Sequence, residues 1–544
     1  MIGIRKTKIR FLPLFLPSTV LLLVCLMVIG SSPLFRTNPW DDSNAMLTMG
    51  RSLINGIVPY KDVIDQRGPF LYALFGLGSL LKSTSFLGVF FLQTVHAFMV
   101  YWVSVKIAID LKMNTSNAVW LGLLGPFSLL STSSFSFSGS PEEFAFTSIL
   151  YLLYVINHYH QEITTISLKK FFFLGVNLGL VFWNKYSMIG AFIIFFFWIA
   201  FESMRVQKFY LLIKIVILSV AGFLSVSLMV LIYFSYTGAT GDLFRIYFYQ
   251  NLTAYGKSDT STVMKCWNLF FLVAREIRTH FIVVAIIILG WVSLLIKKRN
   301  LIVEISMFIG TLVFVALQHW VINYYNLIWM PFFGIALIRL TSLIMEKSTS
   351  LNSQFPKQKS IYIIIATSLI IFPFVNNSDL TNLILKRESR SLSNNSLDAQ
   401  TKFAQLINEK RTASHQPSLI MINSLDKGFF LFSRTLPVTP FFHRLNMSYD
   451  QLPQMYKAFN QDIKSRKTDF IIIRVKQKLS ENKNTLHSQV NSVVDPHLRE
   501  ALNKIITYRQ QQKIVLPNLM SYYTKSKWHG GSTRRTITKR KEKK

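Results

Sequence analysis

Phe11–Gly30 reads FLPLFLPSTVLLLVCLMVIG, a run with no charged residue. A helix rises 1.5 Å per residue, so about 20 apolar residues cross a hydrocarbon core about 30 Å thick. Arg5, Lys6, Lys8 and Arg10 precede the run, as they would in a signal peptide. The apolar stretch is long for one, no A-x-A-like cleavage site follows it, and further apolar runs come behind it. It is therefore read as a first membrane span.

Outward from there, comparable runs fall near 86–107, 118–132, 144–158, 171–184, 187–201, 209–235, 280–296, 301–318, 324–345 and 360–375. The expectation is a polytopic α-helical membrane protein of about eleven transmembrane helices. With the N-terminus in the cytoplasm, every inner segment is basic: Lys106 and Lys112; Lys169 and Lys170; Arg205 and Lys208; Lys297, Lys298 and Arg299; Lys347, Lys357 and Lys359. The outer turns at 133–143 and 318–323 hold no Lys or Arg, and Lys185 is the exception among the short outer turns. Basic residues hold short loops inside, so the pattern gives a multi-pass cell-membrane protein with a cytoplasmic N-terminus. The same rule accounts for much of the net charge of +33, without a nucleic-acid partner. Cys25 and Cys266 give neither a disulfide framework nor metal-ligand spacing.

Residues 1–375 form the membrane domain. A soluble domain at 376–526 follows, with helical patterns at Phe403–Arg411, Tyr449–Lys467 and 497–511. Strand-like runs lie between them at 418–424, 469–475 and Ser521–Tyr523. That alternation predicts a small α/β domain, extracytoplasmic because the number of spans is odd. A basic tail, 527–544, is read as disordered and solvated, with anionic lipid or an anionic wall polymer as the contacts open to it.

Two outer loops are long, 31–85 and 236–279, and both carry cations: Arg36, Arg51, Lys61 and Arg67; Arg245, Lys257, Lys265, Arg275 and Arg278. Long loops translocate regardless of charge, so the topology stands and the cations ask for a purpose. The first loop reads NPWDDSNAMLTMGRSLINGIVPYKDVIDQRGPFLYALFGLGSLL from Asn38 to Leu81. On residues alone, Asp41 and Asp42 would cap a helix beginning near Ser43. Pro69–Leu81 is too short to span and suits a helix lying at the membrane surface. A second acid pair, Glu142 and Glu143, follows Pro141 at the same face, where a helix N-terminus favours acids. Carboxylates paired in a crevice can orient an acceptor, take its proton or hold a cation. Arg67, Lys61, Arg245 and Lys257 are candidate partners for an anionic phosphate. His319, Asn323, Tyr324 and Tyr325 stand at the outer end of a later span, where aromatics commonly form a belt.

Asp41-Asp42, Gly56, Pro59-Tyr60, Asp62 and Asp65-Gln66-Arg67-Gly68-Pro69 together resemble the first outer loop of GT-C membrane glycosyltransferases. The resemblance is to the family 39-like bacterial relatives of protein O-mannosyltransferases and aminoarabinose transferases. Ser140-Pro141-Glu142-Glu143 is similar to a second block of that family. Asn184-Lys185-Tyr186 and Asn323-Tyr324-Tyr325 with Pro331 resemble weaker later ones. Asp42 stands where Glu is more usual and Arg67 where Lys or His is common; both keep the charge type.

The resemblance implies a GT-C-like fold and inverting transfer of a sugar from a polyprenyl-phosphate donor to a glycan, protein or lipid acceptor outside the cytoplasm. It implies Asp41 as base, with Asp42, Glu142 and Glu143 positioning the acceptor or a cation. Arg67, and with it Lys61, Arg245 and Lys257, would neutralise the donor phosphate. Tyr60, Lys185, His319, Asn323 and Tyr324 would line the pocket. Metal use differs within the family, so a divalent cation stays open. The rival readings are a transporter or flippase of lipid-linked sugars and an inactive scaffold of the same fold. Transporters place polar groups at mid-bilayer, often within repeats; here the acids gather at one surface and no repeat is visible.

Overall fold

The computed structural model describes residues 12–135, 138–158, 166–254, 261–296, 301–318, 322–350, 358–384, 394–475, 483–511 and 518–523. Its first part is helical throughout: α1 (Leu12–Val28), α2 (Asp41–Ile54), α3 (Pro69–Leu81), α4 (Leu87–Asp110), α5 (Thr115–Leu121), α6 (Leu124–Leu130), α7 (Pro141–His158), α8 (Leu168–Lys185), α9 (Gly190–Arg205) and α10 (Phe209–Tyr236). Apolar helices at Phe281–Ile296, Leu301–Ala316, Met330–Ser350 and Gln358–Asn377 complete the bundle. Among the described residues, four helices are long and apolar enough to cross a membrane, or six if each of two bent pairs is one span. The chain is a polytopic helical membrane protein.

Two regions differ from the sequence expectation. The run at 118–132 is two short helices, α5 and α6, broken where Gly122 and Leu123 separate them; glycine is a poor residue for a helix interior. The long outer loop 236–279 is largely helical, with a π-helix at Phe244–Gln250 and an α-helix at Thr262–Thr279. In the latter Val263, Met264, Trp267, Phe270 and Phe271 are exposed. Their three- and four-residue spacing puts them on one face. The helix meets the following one at a bend of 88°. That suits a helix lying along a lipid surface before the chain turns into the bilayer.

The first outer loop folds into α2 and α3. The acid pair does not cap a helix starting near Ser43: Asp41 and Asp42 form the first turn of α2 themselves, after Trp40, whose side chain makes no capping bond. The helix macrodipole still favours them there. Glycines let α2 and α3 approach closely, since a Cβ at Gly50 would lie 2.4 Å from the Gly76 nitrogen. Pro69 opens α3 at a position where a missing N–H costs nothing.

The C-terminal part holds a parallel three-stranded sheet in the order β1 (Leu419–Met421), β2 (Phe470–Val475), β3 (Asn518–Tyr523). Parallel strands need crossovers, supplied here by the helices Pro453–Ser465 and Pro496–Gln511, which pack on each other. Alternate residues divide between two cores. Ile420, Ile422, Ile471 and Ile473 pack with Met455, Phe459, Leu498 and Leu502 from the crossover helices. Leu419, Met421, Phe470 and Ile472 belong instead to the core built on Met46 and Met49 of α2 and Phe75 of α3. The FIIIRV run lacks period-two alternation because both faces of its strand are covered.

Candidate active site

The DQRGP turn decides how the outer charges meet. Tyr60, at φ 68°, is fully buried, and its hydroxyl donates to the Arg67 carbonyl at 2.5 Å. Its ring packs on Tyr72, Phe234 and Tyr247, so it braces the loop. Gly68 lies against the end of α8: a Cβ there would sit 2.2 Å from the carbonyl oxygens of Trp183 and Asn184. Only glycine permits that approach, and it sets the neighbouring Arg67 beside α2.

Arg67 joins two carboxylates. Its Nη2 lies 2.8 Å from Asp42 Oδ1, and its Nη1 lies 2.8 Å from Asp65 Oδ2 and 3.0 Å from Oδ1. Asp65 is fully buried. Burial opposes the guanidinium charge, but Asp42 and Asp65 outweigh it and hold the Arg67 pKa well above its ordinary value. Tyr324 lies within electrostatic reach of Asp42, Glu142 and Arg67, and its ring meets Trp40 edge-on at 5.0 Å.

The second acid pair divides its labour. Glu142 Oε1 accepts from Lys185 Nζ at 2.6 Å, and that ammonium sits 3.5 Å from the Tyr325 ring centroid. Glu142 Oε2 is buried and has no hydrogen-bond partner among the described residues. Glu143 is turned into the bundle, accepting from Gln93 and from the Gly139 N–H at 2.6 Å. The Asp42–Arg67–Asp65 group and the Glu142–Lys185 pair thus lie on either side of Tyr324, which is within electrostatic reach of both, with Trp40 and Tyr325 beside it.

The chain is similar to ArnT from Cupriavidus metallidurans. Solved with undecaprenyl phosphate bound, that protein is 12% identical, with a TM-score of 0.49 covering 84% of this chain and 91% of that one. Its apo structure is 11% identical at the same TM-score, covering 84% and 90%. No family model and no curated protein matches the chain.

Other expected residues are placed elsewhere. Lys61 donates to the Thr237 carbonyl at 2.9 Å, tying the loop to the end of α10. Arg245, exposed on the π-helix, pairs with Asp242 at 2.6 Å. Asn323 donates to the Ser133 carbonyl at 2.8 Å. Lys257 and His319 lie outside the described residues. Among those described, no group of three His, Cys, Asp or Glu side chains is placed to hold a metal ion.

Two further groups, unmarked in the local sequence, come from the C-terminal part. Lys427 forms an ion pair with Asp41 across 386 positions of sequence. His443 is fully buried within electrostatic reach of Asp65 and Arg67, with neither ring nitrogen bonded among the described residues. Burial lowers its pKa to about 4, so it is a neutral imidazole. The C-terminal part is pinned to the loop by further bonds. Thr48 donates to Asp426 at 2.7 Å, Arg51 to the Phe430 carbonyl at 3.1 Å, and the Ile64 N–H to the Pro440 carbonyl at 2.7 Å. Nothing in local sequence marks Lys427 among 59 basic residues.

Proposed function

We propose that this protein is a GT-C-type glycosyltransferase that moves a sugar from a polyprenyl-phosphate carrier to an acceptor at the extracytoplasmic face. The observation that carries the reading is the polar cluster at one end of the helices. It is built from the very loop residues whose pattern resembles that family, Asp41, Asp42, Asp65 and Arg67, with the Glu142–Lys185 pair across Tyr324 from them.

The proposed chemistry is inverting. Asp41 removes the proton of an acceptor hydroxyl, whose oxygen bonds to the anomeric carbon as the carbon–oxygen bond to the lipid phosphate breaks. Asp41 suits the base better than Asp42, since its side chain is 37% exposed against 10%. The unpaired Glu142 oxygen would receive an acceptor hydroxyl. Cations about the cluster would stabilise the negative charge gathering on the leaving phosphate. With this goes the topology of about eleven spans, the N-terminus in the cytoplasm and the C-terminal α/β domain outside.

The test is purified protein in proteoliposomes with a labelled polyprenyl-phosphate sugar and candidate acceptors. Transfer supports the reading; movement of the lipid across the bilayer without transfer makes the protein a flippase. Neither outcome across a panel of sugars makes it a scaffold. For topology, a single cysteine at the exposed Lys464 should react with an impermeant maleimide in intact cells. Protection there would place the domain inside.

A further inference from the structure

The cluster's ion pairs differ in how deeply they are sealed. Arg67 is 13% exposed against Asp42 at 10% and Asp65 at 0%, and the Glu142 partner of Lys185 is 1% exposed. In each, removing the cation would strand a buried carboxylate, which is costly. The Lys427–Asp41 pair is different: Asp41 is 37% exposed, so water can take over when its partner leaves. An incoming phosphate brings negative charge to a cluster where Arg67 and Lys185 are already committed to carboxylates. The carboxylate that is stranded least by losing its cation is Asp41, and that cation, Lys427, sits on a flexible four-carbon stem.

We infer that Lys427 of the C-terminal domain is the exchangeable cation of this site, paired with Asp41 at rest and transferred to the donor phosphate on binding. This rests on the glycosyltransferase reading and adds a coupling to it. Donor binding draws Lys427 away and uncovers the Asp41 carboxylate, so the base is free only when a donor is in place. The anchoring bonds from Asp426, Phe430 and Pro440 to the first loop keep Lys427 within reach throughout.

The experiment measures binding of undecaprenyl phosphate, with the neutral alcohol undecaprenol as control, to the full-length protein in nanodiscs. Lys427→Met should weaken the phosphate by about 10- to 100-fold, the value of a charge-assisted contact, and leave the alcohol unchanged. Lys427→Arg should recover most of the loss. Asp41→Asn should tighten the phosphate by about two- to fivefold, since an accessible ion pair no longer has to be broken. That gain should vanish in the Asp41→Asn/Lys427→Met double variant. If the wild type binds phosphate and Lys427→Met binds it equally well, the inference falls and the glycosyltransferase reading stands. Weaker binding in Asp41→Asn would likewise overturn the exchange. If the wild type does not discriminate phosphate from alcohol, both fall together.

Discussion

Two arginine–carboxylate sites in this chain have the same chemistry and opposite completeness. Inside the bundle, Arg339 meets Glu304 through two parallel bonds of 2.8 Å, both side chains being 3% exposed or less. Trp291 adds a third donor to Glu304 at 3.0 Å, so both carboxylate oxygens are satisfied. Around the first loop, one guanidinium is shared by two aspartates, a lysine reaches only one oxygen of Glu142, and the other oxygen has no partner among the described residues. The inner pair joins helices with both carboxylate oxygens matched, its one orphan among the described residues being the buried Arg339 Nε. An under-matched cluster beside water has capacity for a ligand, and that difference separates a structural ion pair from a site.

The largest expected effect tests the outer cluster. Asp41→Asn keeps the side chain's size but cannot take a proton, so turnover should fall by about 10² to 10⁴ with thermal stability unchanged. Asp42→Asn should cost less turnover and more stability, because it weakens the hold on Arg67. Near-normal turnover in Asp41→Asn, measured at matched expression, would remove it as the base, and the reverse order would move that role to Asp42.

The inner pair should respond in the other currency. Arg339→Met strands a buried carboxylate and should cost about 3–5 kcal/mol of stability. Arg339→Met/Glu304→Leu should recover much of it, read by thermal unfolding in detergent. Activity per folded molecule should be unaltered in the double variant. A selective loss of activity there would make the inner pair functional and erase the contrast.

Between these lies the turn that delivers Arg67. Gly68→Ala drives a Cβ into two backbone carbonyls at 2.2 Å and should cost about 1–3 kcal/mol as the turn shifts. The shift should also raise the donor KM, because Arg67 moves with it. An unchanged KM at reduced stability would show that the cluster tolerates the displacement.

The smallest effect is far from both. Asp469 accepts from the Ser418 N–H and hydroxyl and from His415, joining the starts of β1 and β2. Burial raises its pKa, but these partners outweigh burial and hold it below its ordinary value. A depressed carboxyl stabilises the fold above its unfolded pKa and loses that contribution as pH falls through the folded value. Solvent screens the group, so Asp469→Asn should cost less than about 1 kcal/mol near neutral pH. The gap from wild type should close below about pH 4. A gap that does not change with pH would assign the loss to geometry.

Much of the membrane part was legible because its signal is local. A bilayer demands about 20 apolar residues in a row whatever packs beside them, so the runs at 86–107 and 209–235 announce themselves. The same apolar average conceals Glu304 and Arg339, which look like isolated charges in spans until their partner is known. The first loop was legible as a pattern of acids, turn residues and a basic-Gly-Pro turn, and α3 falls at Pro69–Leu81, where its apolar run predicts a helix. The function of Tyr60 was not legible, because bracing and substrate contact use the same aromatic ring.

The sequence by itself determined that the chain is helical and embedded in a membrane, that its acids gather beyond the first and third apolar runs, and that strands follow in the C-terminal part. Those are consequences of periodicity and charge along the chain. Tertiary structure alone decided which carboxylate meets which cation: Arg67 with Asp42 and Asp65, Lys185 with Glu142, and Lys427 with Asp41. Ion pairing depends on a few ångströms of separation and on burial, and a contact across 386 positions leaves no periodic trace in a sequence.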